Sequence, residues 1–119
     1  MVGFILYFKD DAERCIYVSG DTVWYEGVAE VASRFPVRVA VLHLGAARVS
    51  TNGPYLTMTA KEAVEASRTF ANALIIPIHF EDWGHFSEGH EEIASEFASA
   101  ELEHRLRWPE RGRTIQIDL

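Results

Sequence analysis

The chain has 119 residues, 48% hydrophobic and 24% charged, and its 11 Lys and Arg against 18 Asp and Glu leave a net charge of −7. That is one domain's worth of chain, enough to bury roughly two thirds of its unfolded surface. The acidic balance argues against a nucleic-acid backbone as partner, which needs a basic stripe, and the short apolar runs argue against a membrane span.

The lone cysteine, Cys15, excludes an intramolecular disulfide and suits a reducing, cytoplasmic compartment; inside an apolar run it reads as a buried, inert thiol. The opening Met1 to Phe8 has neither a basic n-region nor a small-residue cleavage site, so it reads as a strand, not a signal peptide. A chain that begins inside a strand leads to the expectation that something upstream is missing. No repeat, low-complexity tract or linker divides residues 1–119, which read as one unit.

Phe4–Phe8 and Arg14–Ser19 form a hairpin about a turn at Lys9–Glu13. Thr22 is placed to cap a helix from about Val23 to Phe35, with Trp24, Val28, Val31, Ala32 and Phe35 on its inner face. Val37–Leu44 alternates as a strand, with Val37, Val39, Val41 and His43 on one side. A long loop containing Asn52-Gly53-Pro54 follows, and Thr59 with Glu62 makes a capping box for a helix to about Asn72. Ala73–Ile78 is a short apolar strand, and Pro77 puts it at an edge. After a polar-aromatic loop, Ser87 caps a third helix to about Glu101, with Ile93, Ala94, Phe97 and Ala98 inward. Weak strands at Arg105–Trp108 and Thr114–Leu119 close the chain. The order predicts an α/β fold: a mixed sheet with helices on one face.

Two of these strands end in residues that carry chemistry. Ser19-Gly20-Asp21-Thr22 and Pro77-Ile78-His79 deliver a carboxylate and an imidazole to strand exits, where open α/β sheets place their ligand sites. A carboxylate is an oxygen ligand for Zn²⁺, Fe or Mn²⁺, and an imidazole suits the same metals. The competing readings are plain: Asp21 or Thr22 caps a helix, and His79 is hydrogen-bonded in a loop. His43, at another strand end, reads as structural or as a group that orients a ligand. His85 and His90 are poorly spaced as ligands and read as surface residues; Trp83, Phe86 and His85 would wall a pocket if their loop borders a site. No G-x-S-x-G elbow, G-x-G-x-x-G or P-loop occurs.

Four segments in this order resemble the C-terminal half of metallo-β-lactamase-fold hydrolases: Ile16-Tyr17-Val18-Ser19-Gly20-Asp21-Thr22, Leu42-His43-Leu44-Gly45, Leu56-Thr57-Met58-Thr59-Ala60 and Ile76-Pro77-Ile78-His79-Phe80. The likeness extends over essentially the whole chain. It implies half of an αββα sandwich and a divalent metal, zinc first, with iron or manganese as alternatives. Asp21 would be the residue that bridges two metals, and His79 a ligand of the second. The implied reaction is attack of metal-activated water on an ester, amide, phosphoester or lactone of a small molecule. The family's His-x-His-x-Asp-His cluster belongs to its N-terminal half, and no two histidines here are one residue apart. A lone half would leave an apolar sheet face bare, so the expected partner is a second copy of the chain or a separately encoded N-terminal half. A non-catalytic dimerisation or protein-interaction domain with relic ligand residues is the competing function.

Overall fold

The computed structural model describes residues 3–48, 50, 52–80 and 87–119. Its elements run β1 (Phe4–Phe8), β2 (Asp11–Val18), α1 (Glu26–Arg34), β3 (Val37–His43), α2 (Ala60–Thr69), β4 (Leu74–Ile78) and α3 (His90–Ser99), with a 3-10 turn at Glu103–Arg105. The four strands lie in the order β1-β2-β3-β4; β1 and β2 are antiparallel, and β2, β3 and β4 are parallel. The expected hairpin, mixed sheet and three helices are therefore present.

Local chemistry explains most boundaries. The hairpin is tighter than expected, because Asp11 already belongs to β2; its carboxylate accepts from Glu13 N and pairs with Arg14 at 2.6 Å. Thr59 caps α2 as its sequence predicts: Thr59 Oγ1 accepts from Glu62 N at 3.1 Å, and the Glu62 carboxylate accepts from Thr59 N at 3.0 Å. Pro77 pairs with Leu42 on β4, the edge strand of the order. Ile75, of the same parity, turns its carbonyl outward to Arg107 N, so the N–H that Pro77 lacks also lies on the outer side and costs the sheet nothing.

Two caps and the tail differ from expectation. Helix α1 begins at Glu26 behind Tyr25, and Thr22 Oγ1 donates to the Val23 carbonyl instead of capping. Helix α3 begins behind Gly89; Ser87 Oγ donates to the Ala46 carbonyl, a tertiary contact that outcompetes the local cap. Of the residues expected to face inward, Phe35 and Ala98 lie exposed: Phe35 stands at the C-cap, just past the end of α1, and Ala98 turns to the outer side of α3. The expected tail strands reduce to one bridge, Leu106 beside Ile75.

One sheet face is packed and the other is not. Tyr17, Ala40, Leu42 and Ile75 point to the helices and join Val28, Val64, Phe70, Ile93 and Phe97 in one core; the Tyr17 and Phe70 rings lie 5.3 Å apart. Small residues Ala60, Ala63 and Ala66 let α2 sit close. Strand alternation and register assign Phe4, Leu6, Ile16, Val18, Val41, Ile76 and Ile78 to the opposite face, which no described helix covers. Val37 departs from its expected side and joins the helix-side core at the register shift beside Cys15. Phe4 and Leu6 are 59% and 54% exposed. No described helix is long and apolar enough to cross a membrane.

Burial pushes the Tyr17 phenol up to about 12, with Tyr25 adding to the shift. The unfolded chain releases this proton near the ordinary value of about 10. The stability tied to the neutral phenol is therefore full below about pH 10 and lost as pH rises through about 12. Urea midpoints measured across that window should fall less steeply for Tyr17→Phe than for the native chain.

Candidate metal site at the strand exits

Because β2, β3 and β4 are parallel, their C-terminal ends share one edge of the sheet. Ser19 N donates to the Val41 carbonyl and Leu44 N to the Ile78 carbonyl, so the ladder continues to the last residue before each exit. Asp21 leaves β2, His43 ends β3, and His79 leaves β4. Sharp turns follow in left-handed backbone: Gly20 has φ 67°, Gly45 92°, Ala46 47° and His79 64°. Glycine adopts this region freely, but Ala46 and His79 do so at roughly 1–2 kcal/mol each. Such strain persists only where surrounding structure over-determines it, and it clusters at functional sites.

The turns bring two expected residues together. His79 Nε2 lies 3.7 Å from Asp21 Oδ1. That exceeds hydrogen-bonding distance. Two donors on one zinc ion, each about 2.0–2.1 Å from it, stand roughly 3.3 Å apart at tetrahedral angles, so a small contraction would let one ion join them. Asp21 also has no capping duty, since α1 starts well beyond it. The helix-cap reading of this aspartate is thereby removed.

His43 packs edge-on against His79, with ring centroids 5.2 Å apart and planes at 79°. Its Nδ1 is buried and accepts or donates no hydrogen bond among the described residues. Burial holds the His43 imidazole below its usual range; the Asp21 carboxylate opposes this, His79 reinforces it, and the Gly20 backbone opposes it. A neutral imidazole with an idle nitrogen beside a carboxylate and a second imidazole is a donor set suited to a divalent cation. Among the described residues, however, no three His, Cys, Asp or Glu side chains converge closely enough to hold a metal by themselves.

Thr22 does not join this group. It lines a cavity of about 130 Å³ with Tyr17, Ser19 and Tyr25 on the helix side of the hairpin. Trp83 and His85, the expected pocket residues, and Phe86 lie outside the described residues. His90, read as a surface residue, is exposed, and its ring stacks on Trp108 at 3.8 Å.

Two residues that sequence reasoning passed over hold the site in place. Ser19 Oγ accepts from His43 N at 3.0 Å and donates to the Gly20 carbonyl at 2.9 Å, tying the Asp21 turn to the His43 strand. Thr57 Oγ1 accepts from Ala47 N and donates to the Leu44 carbonyl, both at 2.9 Å, bracing the β3 exit. A hydroxyl beside a strand-end glycine is the signal that marked Ser19.

Comparison with known proteins identifies the fold. No family model matches the sequence. The chain is 27% identical over 109 residues to the UPF0173 protein YddR of Bacillus subtilis, covering 92% of this chain and 42% of that protein. It superimposes on an isothiocyanate hydrolase from Delia radicum gut bacteria with TM-score 0.84 and 24% identity, covering 97% of this chain and 43% of the other. A possible metal-dependent hydrolase from Veillonella parvula matches with TM-score 0.85, again 24% identity, over the same shares. The fold is that of the metallo-β-lactamase-type hydrolases, and the chain has half of their sandwich. It spans about two fifths of the length of these relatives.

The left-handed turn at His79 gives a test free of any metal. His79→Gly and His79→Ala both delete the imidazole, but only glycine relieves the backbone. His79→Gly should be more stable than His79→Ala by about 1 kcal/mol in urea unfolding. Equal stabilities would mean the turn is unstrained.

Proposed function

We propose that the chain is one half of a metal-dependent hydrolase, in which Asp21 and His79 are ligands and the remaining ligands come from across the bare sheet face. The observation that carries this reading is the approach of Asp21 Oδ1 to His79 Nε2 at 3.7 Å on a strained strand exit. The names of the two structural neighbours, one a hydrolase and one a possible metal-dependent hydrolase, support it.

When bound, the divalent metal supplies an activated water and a Lewis acid for cleavage of a small ester, amide, phosphoester or lactone. The chain's own part is to hold the ligands. Asp21 offers an oxygen at the β2 exit and His79 offers Nε2 at the β4 exit. His43, kept neutral by burial, packs against the His79 ring and limits its rotation. Carboxylate and imidazole donors favour zinc, with iron or manganese as alternatives. The single buried cysteine suits a cytoplasmic setting.

A zinc site takes three or four protein ligands, and this chain presents two. A second α/β layer on the face bearing Ile16, Val18, Val41 and Ile76 would bury that face and bring the rest. We assign this role to a second copy of the chain, because a two-fold axis sets the same apolar surface against itself. The −7 charge does not oppose the contact, since these face positions are uncharged.

Two measurements test the proposal. The purified chain should bind stoichiometric Zn²⁺, by elemental analysis after dialysis, and Asp21→Ala and His79→Ala should each abolish this while keeping cooperative unfolding. A metal-free protein whose folding is indifferent to both substitutions would instead favour a non-catalytic interaction domain. Size-exclusion chromatography with light scattering should give the mass of two chains; a clean monomer overturns the second-copy assignment, and a separately supplied half becomes the occupant.

A further inference from the structure

His79 faces Asp21 from a left-handed backbone, at φ 64°, and the residues on either side hold that turn. On the N-terminal side the Ile78 carbonyl is locked by Leu44 N at 2.9 Å. On the C-terminal side Phe80 is 8% exposed and belongs to the core. With both neighbours fixed, the turn between them has no room to relax.

What fixes Phe80 comes from far along the chain. Trp108 meets the Phe80 ring edge-on, with centroids 5.7 Å apart and planes at 78°. Trp108 also stacks on His90, at 3.8 Å and 27°, and His90 itself lies 6.5 Å from Phe80. Trp108 is in turn held against β4, since Leu106 bridges Ile75 and Arg107 N donates to the Ile75 carbonyl at 2.9 Å. The tail and the start of α3 thus close on the one residue that follows His79. Tilted and edge-on aromatic contacts at these separations are favourable and orientation-dependent, so the cluster resists rotation of Phe80.

We propose that Trp108 is a positioning residue for His79: stacked on His90 and set edge-on to Phe80, it holds the left-handed turn that points His79 at Asp21. Trp108 touches neither Asp21 nor any reacting group in this account; it acts through Phe80. The proposal rests on the ligand reading of His79 for its functional meaning, but its structural content does not.

The test uses the full chain and reads His79 in two ways. In the metal-free protein, NMR should show the strong HN–Hα cross-peak of a left-handed residue at His79 and a ring-to-ring cross-peak between His43 and His79. Trp108→Ala should weaken both and lower Zn²⁺ affinity roughly 10–100-fold, as loss of a supporting group around a metal does. Trp108→Phe keeps an edge-on ring and should restore both readouts. If His79 shifts in Trp108→Ala while neither protein binds Zn²⁺, the positioning role stands and the metal reading is what fails. If the two cross-peaks are unchanged in Trp108→Ala, or Trp108→Phe fails to restore them, the proposal is overturned. Should Trp108→Ala not fold, His90→Ala removes the stack together with the tilted contact to Phe80 and is judged on the same cross-peaks beside Trp108→Phe. Loss of intensity in His90→Ala that Trp108→Phe does not show supports the role, and an unchanged spectrum overturns it.

Discussion

The parallel ladder of β2, β3 and β4 is the constraint on which the remaining features depend. Parallel pairing sends three strand exits to one edge, and hydrogen bonds from Ser19 N to Val41 and from Leu44 N to Ile78 carry the ladder up to the exits themselves. A carboxylate and two imidazoles separated by tens of residues are thereby brought to one place. An antiparallel arrangement of the same segments would put His43 at the opposite end from its neighbours. The crossover helices α1 and α2 that parallel pairing requires also account for the packed face, because each must return across the same side of the sheet.

That one-sided packing couples fold to function. Burial of Leu42, Ile75, Ile93 and Phe97 gives the chain a core, while the other face stays apolar and uncovered by any described helix. The site edge lies where this bare face ends, and His43 belongs to both. A layer placed on the face would bury Val41 and Ile76 and at the same time reach Asp21 and His79. In the proposed reading, association and completion of the site are then one event.

Much of this was legible in the residues. The Ser19-Gly20-Asp21-Thr22 and Pro77-Ile78-His79 stretches mark strand exits because a glycine or a proline closes each apolar run. The Thr59 and Glu62 capping box formed as written, since both partners lie within one turn. Thr22 and Ser87 were misread for a common reason: a small hydroxyl before a helix is a cap only if nothing else competes. Ser87 found the Ala46 carbonyl, 41 residues away in sequence, and Thr22 found the Val23 carbonyl. His90 is exposed as its sequence suggests, but its stack on Trp108 was not legible, because nothing local reveals a tryptophan 18 positions later.

The sequence by itself determined the types and order of the four strands and three helices, though not the fate of the tail, together with the apolar character of both sheet faces and the positions of the carboxylate and imidazoles at the strand exits. Those follow from periodicity, turn chemistry and side-chain donors, all of which act within a few residues. Only the tertiary structure decided that Asp21 and His79 meet at 3.7 Å, that His79 is held at positive φ, and that Trp108 closes on Phe80. The physical reason is that strand register and aromatic packing are set by contacts between segments far apart in the chain. No local pattern encodes the distance between two strand exits; the ladder that joins them does.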